Sequence, residues 1–215
     1  MLSPESFGLL LEGLRTTVWL ALLSMGLSLL LGTLIGVLRV APAGVLNTLA
    51  EGYVQFFRNI PLLIILFFVL NGLPEAGIRL PFFYVGVVGL TTYTAAYVAE
   101  AVRAGLASLQ AGQMEAARSL GFSWTQAMRL ILLPQAFRNI MPPLGNLFIA
   151  LVKNTSLASA VGVGEILYQA EVIEGRTFNP NIFVIAGLIY LVLTIPLGFV
   201  VNQLERALAL PSARR

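Results

Sequence analysis

Very few residues in this chain could do chemistry. Its 215 residues include no His and no Cys, and with no Asp either, all ten acids are Glu. That removes Ser-His-Asp chemistry, paired-Asp sites, thiol nucleophiles, zinc–thiolate centres and His-based metal sites. The only lysine is Lys153, in Leu151-Val152-Lys153-Asn154, with Ser156 three residues on. A Lys–Ser pair is a nucleophilic arrangement that an intramembrane hydrolase could use, with Glu as the other available base. A phosphate-binding P-loop needs a Gly-rich run ending in Gly-Lys-Ser/Thr. Lys153 follows Val152, so the chain holds no nucleotide site of that kind.

The elements that must position these residues are membrane helices. The chain is 58% hydrophobic and only 11% charged, with a mean hydropathy of +0.87. A soluble domain needs about 25% charged residues to stay solvated, so the excess apolar surface is expected to face lipid. One domain over residues 1–215 is expected at this length. The isoelectric point near 9.6 would suggest nucleic acid in a soluble protein. Here the arginines lie between apolar blocks, which fits topology signals and no nucleic acid partner. The opening Met1-Leu2-Ser3-Pro4-Glu5 lacks the basic stretch of a cleaved signal. The first apolar block is also too long for a signal h-region, so it is expected to remain as a helix.

A helix crossing the hydrocarbon core needs about 20 apolar residues at roughly 1.5 Å each. Five blocks meet that test: about 16–38, 53–70, 81–102, 140–158 and 182–204. The expected fold is all-α, a polytopic bundle of five transmembrane helices. Tyr53, Phe56 and Phe57 read as an interfacial belt on the second span. With the N-terminus outside and the C-terminus inside, Arg39, Arg58, Arg103, Arg118, Arg129, Arg138, Arg206, Arg214 and Arg215 face the cytoplasm. Only Arg15, Arg79 and Arg176 then face outward, as cytoplasmic enrichment in Arg requires. In the first span Ser24, Ser28, Gly32 and Gly36 recur every four residues. Such a small-residue stripe packs closely against another helix, either in this subunit or in a second one.

Ala104 to Arg138 carries Glu115, Arg118 and Arg129 too closely for a span, and reads as two short helices outside the bilayer core. Within it Met114–Leu120 has helix formers throughout, and Gly121 can take positive φ and end that helix. Ser123 sits three residues before Gln126, a capping-box pattern for a new helix. That helix is expected to run to Leu133 and be interrupted by Pro134. Trp124, Met128 and Ile131 would share one face. The result is a compact cytoplasmic knob, or a pair of amphipathic helices resting on the membrane surface.

Glu115-Ala116-Ala117, then Gly121, then Ile131-Leu132-Leu133-Pro134 resemble the EAA loop of binding-protein-dependent ABC permeases. Leu133-Pro134-Gln135-Ala136 with Met141-Pro142-Pro143-Leu144-Gly145-Asn146 resembles the polar amino acid branch, of histidine, glutamine, glutamate and arginine type. Leu11-Glu12-Gly13-Leu14-Arg15-Thr16-Thr17 is similar to the start of that family's first span. Phe57-Arg58-Asn59-Ile60-Pro61-Leu62-Leu63 resembles its Arg-Gly/Asn-Thr-Pro-Leu-Leu box, and Lys153-Asn154-Thr155-Ser156-Leu157 its Lys-Asp/Asn-Thr-Ser-Leu box. These boxes account for both Lys153 and Ser156. Ile60 stands where Thr is common and Ile65 where many members have Gln, which leaves the substrate open.

The resemblance implies the type I importer permease fold, with a coupling loop at about 110–138 docking into a groove on a cytoplasmic ABC ATPase dimer. ATP and magnesium would belong to that partner, with no cofactor or catalytic residue in this chain. It further implies a second permease subunit, identical or paralogous, and a periplasmic or lipid-anchored solute-binding protein. The setting would be the bacterial cytoplasmic membrane. Coupling falls to Glu115, Ala116, Ala117, Gly121 and Pro134: Glu115 to meet a basic group, the alanines to seat the helix, Gly121 to turn. The substrate route is expected near Arg58, Pro61, Lys153, Asn154, Thr155, Ser156 and Glu165, because broken helices and intramembrane charges mark such routes. Lys153 could instead pair with Glu165 or with backbone carbonyls at a break in the helix, and Arg58 could anchor at the interface. Glu100 and Arg103, three apart on a helix, are expected to pair. Glu165, Glu171 and Glu174 form an acidic outer stretch, either a solvated loop or a surface facing the solute-binding protein. The rival reading is a solute or ion channel that runs without ATP, which would need no docking knob.

Overall fold

The computed structural model describes residues 3–41, 44–109 and 112–208. Arg214 and Arg215, and the start of the loop at residue 110, lie outside the described residues. Helix α1 (Pro4–Leu38) begins with Ser3 as N-cap, whose Oγ accepts from Ser6 N, and with Pro at the first turn. Then come α2 (Val45–Asn59), α3 (Leu62–Glu75), α4 (Phe82–Ala107), α5 (Gln113–Ser119) and α6 (Trp124–Ala127). A π-turn (Met128–Leu132) leads into α7 (Leu133–Asn154) and a 3₁₀ segment (Thr155–Val161). The last two are α8 (Ile166–Thr177) and α9 (Asn181–Leu208).

Among the described residues, four helical stretches are long and apolar enough to cross a membrane: α1, α4, the run from α6 through the 3₁₀ segment, and α9. The pair α2 and α3 makes a fifth if counted as one span, but it bends by 106°. The expected continuous span over 53–70 is therefore broken. Pro61 forces Ile60 into extended backbone at φ −99°, ψ 134°, and then caps α3. The aromatic belt changes with it. Phe56 is exposed, but Tyr53 donates from Oη to Thr92 O at 2.7 Å and Phe57 packs into the core.

Helix α1 lies along α4, and the stripe of Ser24, Ser28, Gly32 and Gly36 is the contact. A Cβ on Gly32 would sit 2.6 Å from Ala95 O, and one on Gly36 2.7 Å from Ala99 O. Ser28 Oγ donates to Thr91 O at 3.2 Å. Close backbone approach compensates for the missing hydrophobic effect between helices in lipid. The stripe thus packs inside this subunit. The main apolar core joins Leu20, Leu66, Leu90 and Leu151 from α1, α3, α4 and α7. The outer faces of α1 and α9 carry Leu30, Leu34, Val192 and Phe199 outward, as a lipid-facing surface requires.

Candidate functional site

The knob is built by local rules and then fixed by packing. Gly121 has φ +88° and turns the chain between α5 and α6. Ser123 Oγ accepts from Gln126 N at 3.2 Å, and Ser123 N donates to Gln126 Oε1 at 2.9 Å, so the expected capping box is complete. Trp124, Met128 and Ile131 do face one cluster. It joins Ala117, Ala127, Met128 and Ala136 to Val98, Val102 and Leu106 of α4. The knob is therefore packed directly against α4 and α7.

Two expectations about this segment change. Pro134 does not interrupt the helix. It lies in the first turn of α7, directly after the π-turn, where Leu133 N donates to Met128 O. The wider turn relieves the clash a proline ring makes with the carbonyl four residues back. The second knob helix and the fourth span are thus one continuous rod from Trp124 to Val161. Of the two alanines, Ala116 is exposed beside Glu115, whereas Ala117 is buried in the subunit's own cluster. Leu120 is 79% exposed at the tip, a position the sequence motifs did not single out. Its apolar type directly before the turn glycine was the available signal.

Glu100 does pair with Arg103, at 2.5 Å, but it is also the hub of a larger network. Arg39 reaches it at 2.6 Å and Arg58 at 3.2 Å, and Arg39 also holds Glu51 at 2.5 Å. The Arg39 side chain is 5% exposed, so this is a buried cation made tolerable by two carboxylates. On α2, Gln55 Nε2 also donates to Glu51 Oε1 at 2.8 Å. Only the three-residue spacing of Glu100 and Arg103 is legible in the sequence, because the other partners lie 61 and 12 residues from Arg39.

The route residues are not all brought together. A cavity of about 110 Å³ lies between α4 and α7, lined by Tyr93, Thr94, Tyr97, Ala150 and Asn154 among others. Arg58 borders it, with its guanidinium carbon 5.4 Å from the centre of the Tyr97 ring. Pro61 is exposed at the α2–α3 break. Lys153 is exposed on α7, and the expected pairing with Glu165 is absent. Glu165 is fully buried as N-cap of α8, where it accepts from Tyr168 N at 2.8 Å and from Tyr190 Oη. Thr155 is buried and donates to Val152 O. Ser156 Oγ donates to Lys153 O at 2.8 Å, so the hydroxyl is engaged with backbone rather than aligned on the amine. Ile65 is 5% exposed in the apolar core and Ile60 packs against that core. Glu171 and Glu174 lie on α8, a helix rather than a loop.

Comparison with known proteins places this geometry. The family described as binding-protein-dependent transport system inner membrane component matches residues 28–210. A probable glutamine ABC transporter permease protein, GlnM of Bacillus subtilis, is 44% identical over 205 residues, covering 95% of each chain. The arginine transport system permease protein ArtQ of the same organism is 36% identical over 201 residues, covering 93% and 92%. A solved amino acid ABC transporter with histidines superposes with a TM-score of 0.86 at 34% identity, covering 94% and 95%. The inward-facing MetNI methionine transporter shares the fold alone, with a TM-score of 0.83 at 23% identity, covering 97% and 100%. None of these relatives supports an ATP-independent channel. The chain belongs to the family of binding-protein-dependent transport system inner membrane components and is a membrane-embedded ABC importer permease subunit.

Proposed function

We propose that this subunit carries a polar amino acid inward across the bacterial cytoplasmic membrane, N-terminus out and C-terminus in. A cytoplasmic ABC ATPase dimer, binding ATP and magnesium, supplies the work. A second permease subunit completes the bundle, and an extracytoplasmic solute-binding protein delivers the substrate. The observation that carries this reading is the knob. Glu115, Ala116 and Leu120 are presented outward by a glycine turn, on a segment whose inner side is packed against α4 and α7. Docking energy applied there moves a rigid rod rather than a loose loop. Closure of the ATPase dimer would then rock the spans between two packings. Glu115 meets a basic group on the ATPase, Gly121 makes the turn, Ala117 seats the knob on its own bundle, and Pro134 marks where knob becomes span. The glutamine and arginine names of the relatives support the substrate class.

The test is reconstitution. The permease purified with its ATPase, in vesicles with the solute-binding protein outside, should accumulate a labelled amide, basic or acidic amino acid only when ATP is enclosed. Accumulation without nucleotide hydrolysis would overturn the reading.

A further inference from the structure

One face of α7 is out of place in a membrane. Gln135, Asn139, Asn146 and Lys153 are all exposed. At about 100° per residue their spacings of four, seven and seven put them within an arc of about 40°. The middle of α9 is by contrast apolar on its outward surface, at Val184, Leu188, Val192 and Phe199. Gln135 and Asn139, at the knob end, bond to Gln113 and Ser108, but Asn146 and Lys153 have no side-chain partner among the described residues, and facing hydrocarbon each would lose its water without gaining one.

The depth of Lys153 follows from packing. Ile140 of α7 lies against Gly105 near the inner end of α4, where an added Cβ would collide with Ile140 Cγ1. Thirteen residues on, Lys153 stands about 20 Å further along the helix. Its neighbour Asn154 shares the α4–α7 cavity with Tyr93 and Thr94, near the middle of α4. The chain's only lysine thus sits near mid-membrane. Among the described residues no carboxylate reaches it within salt-bridge distance, since each pair there involves an arginine. The cation beside this cavity, Arg58, already has Glu100 at 3.2 Å.

We infer that the polar stripe of α7 is a water-lined wall of the substrate route, and that Lys153 receives the carboxylate of the amino acid passing along it. This rests on the importer reading and assigns which part of the substrate the chain holds. A lysine ammonium is a compact cation with three donors and no acceptor, suited to a carboxylate that must bind and then leave. The side chain of the substrate is left to groups across the route, so the site fits the moiety common to amino acids of different charge.

The absence of native cysteine makes the test direct. In the purified permease–ATPase complex, N146C and K153C should react with a charged, water-soluble thiosulfonate at least about tenfold faster than V192C, read on this chain by mass. Glutamine, glutamate, arginine or histidine at millimolar concentration should slow labelling of N146C, while the α-amide of the same compound should not. Adding Lys153→Met should weaken protection about tenfold or more, the scale of one charge-assisted hydrogen bond, and Lys153→Arg should restore most of it. Equal labelling of the stripe and V192C would overturn the wall. Equal protection by acid and α-amide, or by K153M and wild type, would overturn the carboxylate role. So would ATP-driven uptake of an amino acid that gives no protection. Failure of ATP-driven uptake itself would instead fall on the importer reading.

Discussion

Replacing Gly121 by Val isolates the knob from the rest of the protein. Gly121 has φ +88°, and a Cβ placed on it meets nothing within 4 Å. The cost is therefore conformational and not steric. A β-branched residue at positive φ loses roughly 2–3 kcal/mol, which shifts the turn against its native form by about 30- to 150-fold. No core side chain is displaced, because the residue is exposed and the cluster beneath it runs through Ala117 and Met128. The variant should reach the membrane at normal levels and keep its thermal unfolding midpoint in detergent. In vesicles with ATPase and solute-binding protein, uptake per ATP hydrolysed should fall at least about tenfold. Gly121→Asn is the control, since Asn tolerates positive φ and should lose much less. Full coupling by the Val variant would refute the turn argument. Equal loss by Asn and Val would show that side-chain bulk at the docking surface, and not backbone geometry, is what matters.

Gly36→Val should strip α1 from α4, because its Cβ would lie 2.7 Å from Ala99 O. Loss of about 1–3 kcal/mol should appear as reduced accumulation and a lowered midpoint in detergent, and a neutral result would contradict the intrasubunit packing. Ser24→Ala should be neutral or slightly stabilising, because Ser24 Oγ is buried without a partner. A measurable loss would reveal a bond partner outside this subunit. Tyr190→Phe removes a donor from the fully buried Glu165. It should cost about 1–3 kcal/mol, read as earlier thermal unfolding, with Glu165→Gln in the same background recovering part of it.

The knob is legible in the sequence because its causes span only a few residues. Gly121 licenses the turn, Ser123 and Gln126 cap the next helix, and Trp124, Met128 and Ile131 repeat at helical spacing, each within one or two turns of chain. Number and order of spans are legible for a similar reason, since each rests on the hydropathy of about 20 neighbouring residues. That same averaging hides the break at Pro61. A window rich in Leu and Ile reads as one span even though Pro61 forces Ile60 out of helical backbone. The continuity of α6 and α7 is hidden in the opposite sense, because a π-turn absorbs Pro134 without ending the helix.

Composition and local order determined that this is a membrane bundle bearing a knob with a capped helix. Tertiary structure alone decided which helix the small-residue stripe meets, that Glu100 gathers Arg39 and Arg58 as well as Arg103, and that Glu165 turns to Tyr190 and away from Lys153. Those choices pair groups tens of residues apart. No local propensity carries that information, because it exists only once helix packing has brought the partners within a few ångströms.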